Sequence, residues 1–135
     1  MDIIIQSTLK TLYKSKFLLE TLSDNDFCDC SVSPYYSSVG SHIRHILDFY
    51  DCILNMDSER RIDLTARNRN KDVESCCILA AEYLNKIINQ LTNIDYNFDE
   101  IVTVIDDLGT GKIEMSYTLA AVLSQANSHT IHHYA

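Results

Sequence analysis

The residues best suited to chemistry in this 135-residue chain are its five histidines, which lie in two short segments. His42 and His45 form one group, and His129, His132 and His133 form the other. Residues four apart on an α-helix share a face one turn apart, so His129 and His133 could direct two imidazoles to one point. Neutral imidazole is a common ligand for zinc, nickel, copper and ferrous iron. The spacing predicts two ligands of a divalent-metal site.

A histidine that faces a protein interior is more often a hydrogen-bonded core residue than a metal ligand, so a structural role is the alternative. The last helix carries apolar residues and histidines at spacings of three and four, namely Leu119, Val122, Ala126, His129 and His133. Both histidines therefore occupy core positions. Burying clustered imidazoles costs free energy because they lose their hydration. The cost is offset if another group bonds to their nitrogens, as a metal ion would.

Helical periodicity leaves the third ligand open between His42 and His45. The apolar stripe of their helix consists of Val39, Ile43, Ile46, Tyr50 and Ile53. His42 lies nearer the centre of that stripe and His45 lies on its flank. Either could face the other two histidines.

Four segments with helical periodicity must position these side chains. The first spans about residues 2–22, the second begins at Ser37 or Ser38, the third spans about 71–91, and the last begins near Tyr117. Three glycines and one proline are few for an all-β chain of this length. We predict an all-α fold, an up-down-up-down four-helix bundle that forms one domain over residues 1–135.

The segments between the predicted helices indicate two loops and a β-hairpin. Residues 23–37 form a loop that contains Pro34, and residues 56–70 form a polar, basic connection. The segment IVTVIDDLGTGKIEMSY has β-branched residues on both sides of a glycine-containing turn, which is typical of a short β-hairpin. Two strands alone are marginally stable, so this hairpin between helices three and four should pack against the helices.

Charge and composition exclude several partners. A formal net charge of −8 disfavours nucleic acid. No apolar run approaches the roughly 20 residues that span a bilayer, and the N-terminus lacks the features of a signal peptide. We therefore expect a cytoplasmic protein without a membrane partner. The five cysteines, an odd number, should be reduced thiols, and Cys28 and Cys30 lack further nearby ligands for a metal.

The two histidine segments resemble those of the DinB-like family. SVGSHIRHILDFYDCIL is similar to the second helix of that family, in which a metal-binding histidine is followed three residues later by an acid, here His45 and Asp48. SHTIHHYA is similar to its C-terminal HxxxH motif, matching His129 and His133, and DLTARNRNKDVE is similar to an arginine-rich stretch in one branch. Family members generally continue the last helix, whereas this sequence ends at Ala135. That departure predicts a frayed helix end and a more open site.

The resemblance, which covers most of the chain in element order, implies a four-helix bundle with a metal near one end. Water or substrate would complete a ligand set of three histidines, here His45, His129 and His133. His42 and His132 would hydrogen-bond to these ligands or replace one of them, and Asp48 would orient His45.

A three-histidine set leaves a coordination position free, as catalytic metal sites do. Members of the superfamily include metal-dependent transferases of low-molecular-weight thiols, a maleylpyruvate isomerase that uses a thiol cofactor, and hydrolase-like proteins. The resemblance therefore implies a thiol S-transferase or a related transferase or hydrolase. Its cofactors would be zinc, nickel or iron and a low-molecular-weight thiol, and its substrate a small molecule. The alternatives are a noncatalytic metal- or ligand-binding module and a structural bundle that forms a homodimer.

The basic connection offers candidates for substrate binding. Nearly half of the positive charge lies there, on Arg60, Arg61, Arg67, Arg69 and Lys71. Arginine suits the carboxylates of an anionic metabolite, and Arg67 and Arg69 are the best candidates. The alternative is a solvated loop whose arginines pair with acidic groups of the protein itself.

Overall fold

The computed structural model describes residues 2–32 and 35–134, so Pro34 and Ala135 lie outside the described residues. Within these described residues, five α-helices and three β-strands follow one another, with a short 3-10 helix before α4. In chain order they are α1 Ile3–Thr21, α2 Asp24–Phe27, α3 Val39–Leu54, β1 Arg61–Asp63, the 3-10 helix Lys71–Glu74, α4 Cys77–Thr92, β2 Ile101–Asp107, β3 Lys112–Thr118 and α5 Leu119–His133.

The prediction of an all-α four-helix bundle is wrong, because a three-stranded mixed sheet accompanies the helices. Its strand order is β1-β2-β3, with β1 parallel to β2 and β2 antiparallel to β3. The hairpin predicted from the sequence is β2 and β3, and its turn contains Gly109 and Gly111 at positive φ, which glycine adopts without strain. Strand β1 lies in the stretch predicted as a connection. Only three residues long, it is too short to show a strand period.

Side-chain caps set the helix boundaries. Asp2, Ser38 and Thr118 each accept a hydrogen bond from a backbone N–H in the first turn of α1, α3 and α5, respectively. The third helix predicted over residues 71–91 is divided at Cys76, whose backbone is extended. Asp24 of α2 accepts a hydrogen bond of 2.9 Å from the Cys77 N–H, so a distant side chain caps α4.

The core lies where α1 and α3 each pack against both α4 and α5. Its largest fully buried side chains include Tyr50, Phe27, Leu47 and Leu84. The sheet adds Ile62 of β1 and buried valines of β2 to the same core. Within residues 2–32 and 35–134, no helix has the length and apolar character needed to cross a membrane.

Candidate metal centre

Three histidines from two helices converge at one end of the α3 and α5 pair. His45 lies on α3, and His129 and His133 lie one turn apart on α5. The Nε2 atom of His129 is 3.0 Å from Nε2 of His45 and 3.1 Å from Nε2 of His133. Within the described residues, this is the one group of histidine, cysteine and acidic side chains close enough together to hold a metal ion.

Packing on both sides of the histidines fixes the register of α5. Thr130 is buried, and its hydroxyl donates a hydrogen bond of 2.8 Å to the Ala126 carbonyl. Tyr134, directly after the helix, donates a hydrogen bond of 2.8 Å to the Thr11 carbonyl and accepts one from Ser15. The last turn is therefore attached to α1, which turns His129 and His133 toward α3.

Hydrogen bonds among the three rings cannot satisfy all of these nitrogens. Nε2 of His129 carries either one proton or one lone pair, so it can form an ordinary hydrogen bond with only one of its two neighbours, as donor or as acceptor. A cation accepts all three lone pairs at once. Nitrogens bound to one tetrahedral zinc at about 2.0–2.1 Å lie about 3.3 Å apart, close to the 3.0 and 3.1 Å found here. The geometry fits a metal ion.

The protonation of the cluster favours the same conclusion. Burial, followed by the charge of Arg67 and by the neighbouring imidazoles, lowers the pKa of His45 to about 4. Burial is also the largest cause of the lowered pKa values of His129 and His133. At neutral pH the imidazoles are therefore neutral, which is the form that binds metals.

His42, the residue left open by periodicity, lies behind His133 and outside the three-histidine group. Its Nδ1 is 2.8 Å from Nδ1 of His133, and its Nε2 is 2.9 Å from the Ser37 hydroxyl. A His133 that offers its Nε2 lone pair to a metal carries its proton on Nδ1 and donates it to His42. His42 then donates from Nε2 to Ser37. The contacts of His42 with His133 and Ser37 are thus compatible with a His133 that offers its Nε2 lone pair to a metal.

Asp48 forms its hydrogen bonds with residues outside the three-histidine group. Its carboxylate is buried and accepts hydrogen bonds from Arg44 at 2.6 Å, from the Arg69 backbone N–H at 3.1 Å and from the Tyr83 hydroxyl at 2.8 Å. Among the described residues, no hydrogen bond joins it to His45. Asp48 therefore connects α3 to α4 through Tyr83 and to the loop that follows β1 through Arg69. No sequence pattern indicated that Tyr83 takes part in this contact.

The other residues considered as site candidates differ in how close they lie to the three histidines. Arg67 lies 3.4 Å from Nδ1 of His45 through one guanidinium nitrogen, whereas the side chain of Arg69 is exposed. His132 is exposed, with its ring centre 6.1 Å from that of His133. Cys28 and Cys30 are exposed free thiols that do not belong to the three-histidine group.

No protein-family model, curated protein or solved structure matches this chain.

A cleft of about 470 Å³ adjoins the cluster, and His42 and His133 form part of its wall. Its other walls are mainly apolar side chains of α1 and α3, with Lys14 at its edge. Ligand sites commonly combine a mostly apolar cavity of this size with a few polar groups. A small molecule in this cleft would therefore lie beside His133 of the three-histidine group.

Proposed function

We propose that this chain binds one divalent metal ion through His45, His129 and His133 and acts as a DinB-like, metal-dependent enzyme on a small molecule. The observation that carries the proposal is the convergence of three neutral Nε2 atoms, which a cation satisfies and hydrogen bonds among the three rings cannot. With three protein ligands, a bound zinc, nickel or iron ion keeps a position at which it can activate water or a thiolate.

The reaction class that we favour is thiol S-transfer. The adjoining cleft could hold a small thiol or electrophile beside His42 and His133. Burial lowers the pKa values of the three imidazoles, and His133 lies within hydrogen-bond distance of His42. These features serve a site that exchanges ligands, because they hold the donor atoms in place without closing the site.

Elemental analysis of protein purified without a histidine tag tests metal binding first. We expect about one zinc, nickel or iron per chain, and calorimetry with zinc should lose most of its signal in His129→Ala and His133→Ala. His132→Ala is the matched control, because His132 adjoins His133 in sequence but is exposed. Absence of metal together with absence of zinc binding would overturn the proposal.

Turnover tests the enzymatic part. Zinc-loaded protein is mixed with cysteine or glutathione and a chromogenic aryl halide, and the reaction forms a carbon–sulfur bond and releases halide and the thiol proton. We expect a rate above that of the metal-free protein and of His129→Ala. Metal binding with no turnover across a range of thiols and electrophiles would instead support a noncatalytic metal-binding module.

A further inference from the structure

Arg67 is partly buried and, among the described residues, has no acidic partner, although the protein is strongly acidic. Its Nε donates a hydrogen bond of 3.1 Å to the Leu64 carbonyl, and another guanidinium nitrogen lies 3.4 Å from Nδ1 of His45. Among the described residues, no carboxylate forms an ion pair with it. Three other cations of the same region have carboxylate partners, namely Arg60 with Glu100, Arg61 with Glu114 and Lys71 with Glu74. Arg69 also forms no ion pair among the described residues, but its side chain is exposed to solvent, whereas that of Arg67 is partly buried.

Metal binding at Nε2 of His45 would change the hydrogen-bonding role of Nδ1, the atom that faces Arg67. Nε2 of His45 faces the cluster, 3.0 Å from Nε2 of His129. A neutral imidazole that gives its Nε2 lone pair to a metal carries its proton on Nδ1. Arg67 can only donate, so two N–H groups then face each other with no acceptor between them. Metal-bound histidines usually donate this proton to a carboxylate, a carbonyl or water.

We propose that Arg67 and Nδ1 of His45 form an oxyanion site beside the metal, filled by a carboxylate or phosphate oxygen of the substrate. The inference rests on the proposed metal site and names the substrate class, a small molecule that carries an oxyanion. An oxygen placed there accepts from both donors and pairs with the guanidinium charge, which gives strong, charge-assisted hydrogen bonds.

The loop around Arg67 is already held in position for this role. Leu64 donates its N–H to the Ile105 carbonyl at 2.9 Å, which attaches the start of the loop to β2. Three residues later, Nε of Arg67 bonds to the Leu64 carbonyl, and the Arg69 N–H bonds to Asp48 of α3. The guanidinium is thus restrained before any ligand arrives, which reduces the entropy cost of binding.

The test uses cobalt-loaded protein, because the visible absorption of cobalt(II) reports changes at the metal. Acetate and inorganic phosphate are titrated separately into the wild type, Arg67→Gln and Arg69→Gln. We expect Arg67→Gln to weaken binding of at least one anion about tenfold, the effect of losing one charge-assisted hydrogen bond of about 1.4 kcal/mol. Arg69→Gln is the matched control, since it removes the same charge two residues away on an exposed side chain, and it should stay within about twofold.

Equal anion affinities in the wild type and Arg67→Gln would overturn the oxyanion site, as would cobalt-loaded protein that binds neither anion. Failure of the wild type to bind cobalt would overturn the metal site instead, so the two failures are distinguishable. Circular dichroism and the urea midpoint confirm that each variant is folded.

Histidine ¹⁵N–¹H NMR of zinc-loaded protein gives an independent readout. We expect His45 to be metal-bound at Nε2 and protonated at Nδ1, with the Nδ1 proton signal shifting when acetate or phosphate is added. Metal binding through Nδ1 of His45 would remove the donor on which the site depends and would refute the inference.

Discussion

Replacing Asp48 by asparagine tests how the site is supported. The carboxylate of Asp48 is 1% exposed and accepts three hydrogen bonds, from Arg44, the Arg69 N–H and Tyr83. In Asp48→Asn, the shape is kept, but an amide N–H₂ must replace one acceptor oxygen and face a donor. Breaking a buried ion pair by removing one partner costs about 3–5 kcal/mol. Because Arg44 keeps a second carboxylate, that of Glu74 at 3.1 Å, we expect a loss of about 3 kcal/mol.

A loss of that size leaves the fold populated, since a chain of this length has a free energy of unfolding of roughly 7–20 kcal/mol. Urea denaturation of the metal-free protein, followed by circular dichroism, measures it as a lower midpoint at unchanged slope. Asp51→Asn is the control on the same helix. Its partner Lys86 is 3.7 Å away and largely exposed, so the cost should stay below about 1 kcal/mol.

The same variant distinguishes the observed contacts of Asp48 from the role implied by the family resemblance. A residue that orients a metal-bound histidine typically costs about 10–100-fold in metal affinity when it is replaced. Since Asp48 bonds to Arg44, Arg69 and Tyr83, zinc affinity of folded Asp48→Asn should fall by less than about tenfold. A stability loss no greater than that of the Asp51 variant, or a 100-fold loss of zinc affinity, would refute this reasoning.

Four further predictions follow from the site and from α3. A metal at 100 times its dissociation constant should stabilise the fold by about 2.7 kcal/mol, so EDTA should lower the melting temperature measured by circular dichroism. His42→Ala should weaken zinc binding about tenfold by removing the hydrogen bond to His133, and calorimetry should show a larger loss for His133→Ala. In Gly40→Ala the added Cβ would lie 1.9 Å from the Glu74 carbonyl oxygen, so the urea midpoint should fall by the equivalent of about 1–3 kcal/mol. In metal-free protein, the pKa of His45 is about 4 folded and about 6.5 unfolded, so the unfolded state binds more protons between these values and stability falls as pH falls through that window. The loss should be about 1–2 kcal/mol by urea titration, below the full linkage value because the ring is partly solvated.

Much of the arrangement of α5 was predictable because its signal is local. A spacing of four places His129 and His133 on one face whatever surrounds the helix, and the hairpin that precedes the helix has its own turn and β-branched residues. The choice between His42 and His45 was different. It depends on how α3 is rotated against α5, which no pattern within one helix determines.

Long-range contacts account for what the sequence did not show. Helix α4 begins at Cys77 because Asp24, 53 positions earlier, caps it, and the residues before it form a 3-10 turn despite their helical pattern. Strand β1 has only Ile62 as a buried apolar residue, so its pairing with β2 left no period to recognise. Each of these features is fixed by a partner distant in sequence.

Strand β1, which was not predicted from the sequence, is also what positions Arg67. Parallel pairing of β1 with β2 continues into the bond between the Leu64 N–H and the Ile105 carbonyl, so the chain leaves the sheet at a fixed point. From there it reaches α3 within a few residues, where Asp48 binds the Arg69 N–H. In a bundle of helices alone, a connection of this length would be a mobile surface loop, and its arginines would be free to pair with any nearby acid. Attached at both ends, the loop instead holds the Arg67 guanidinium, which forms no ion pair among the described residues, against His45 of the three-histidine group. Strand β1 thus links the protein core to the side chains of the candidate site.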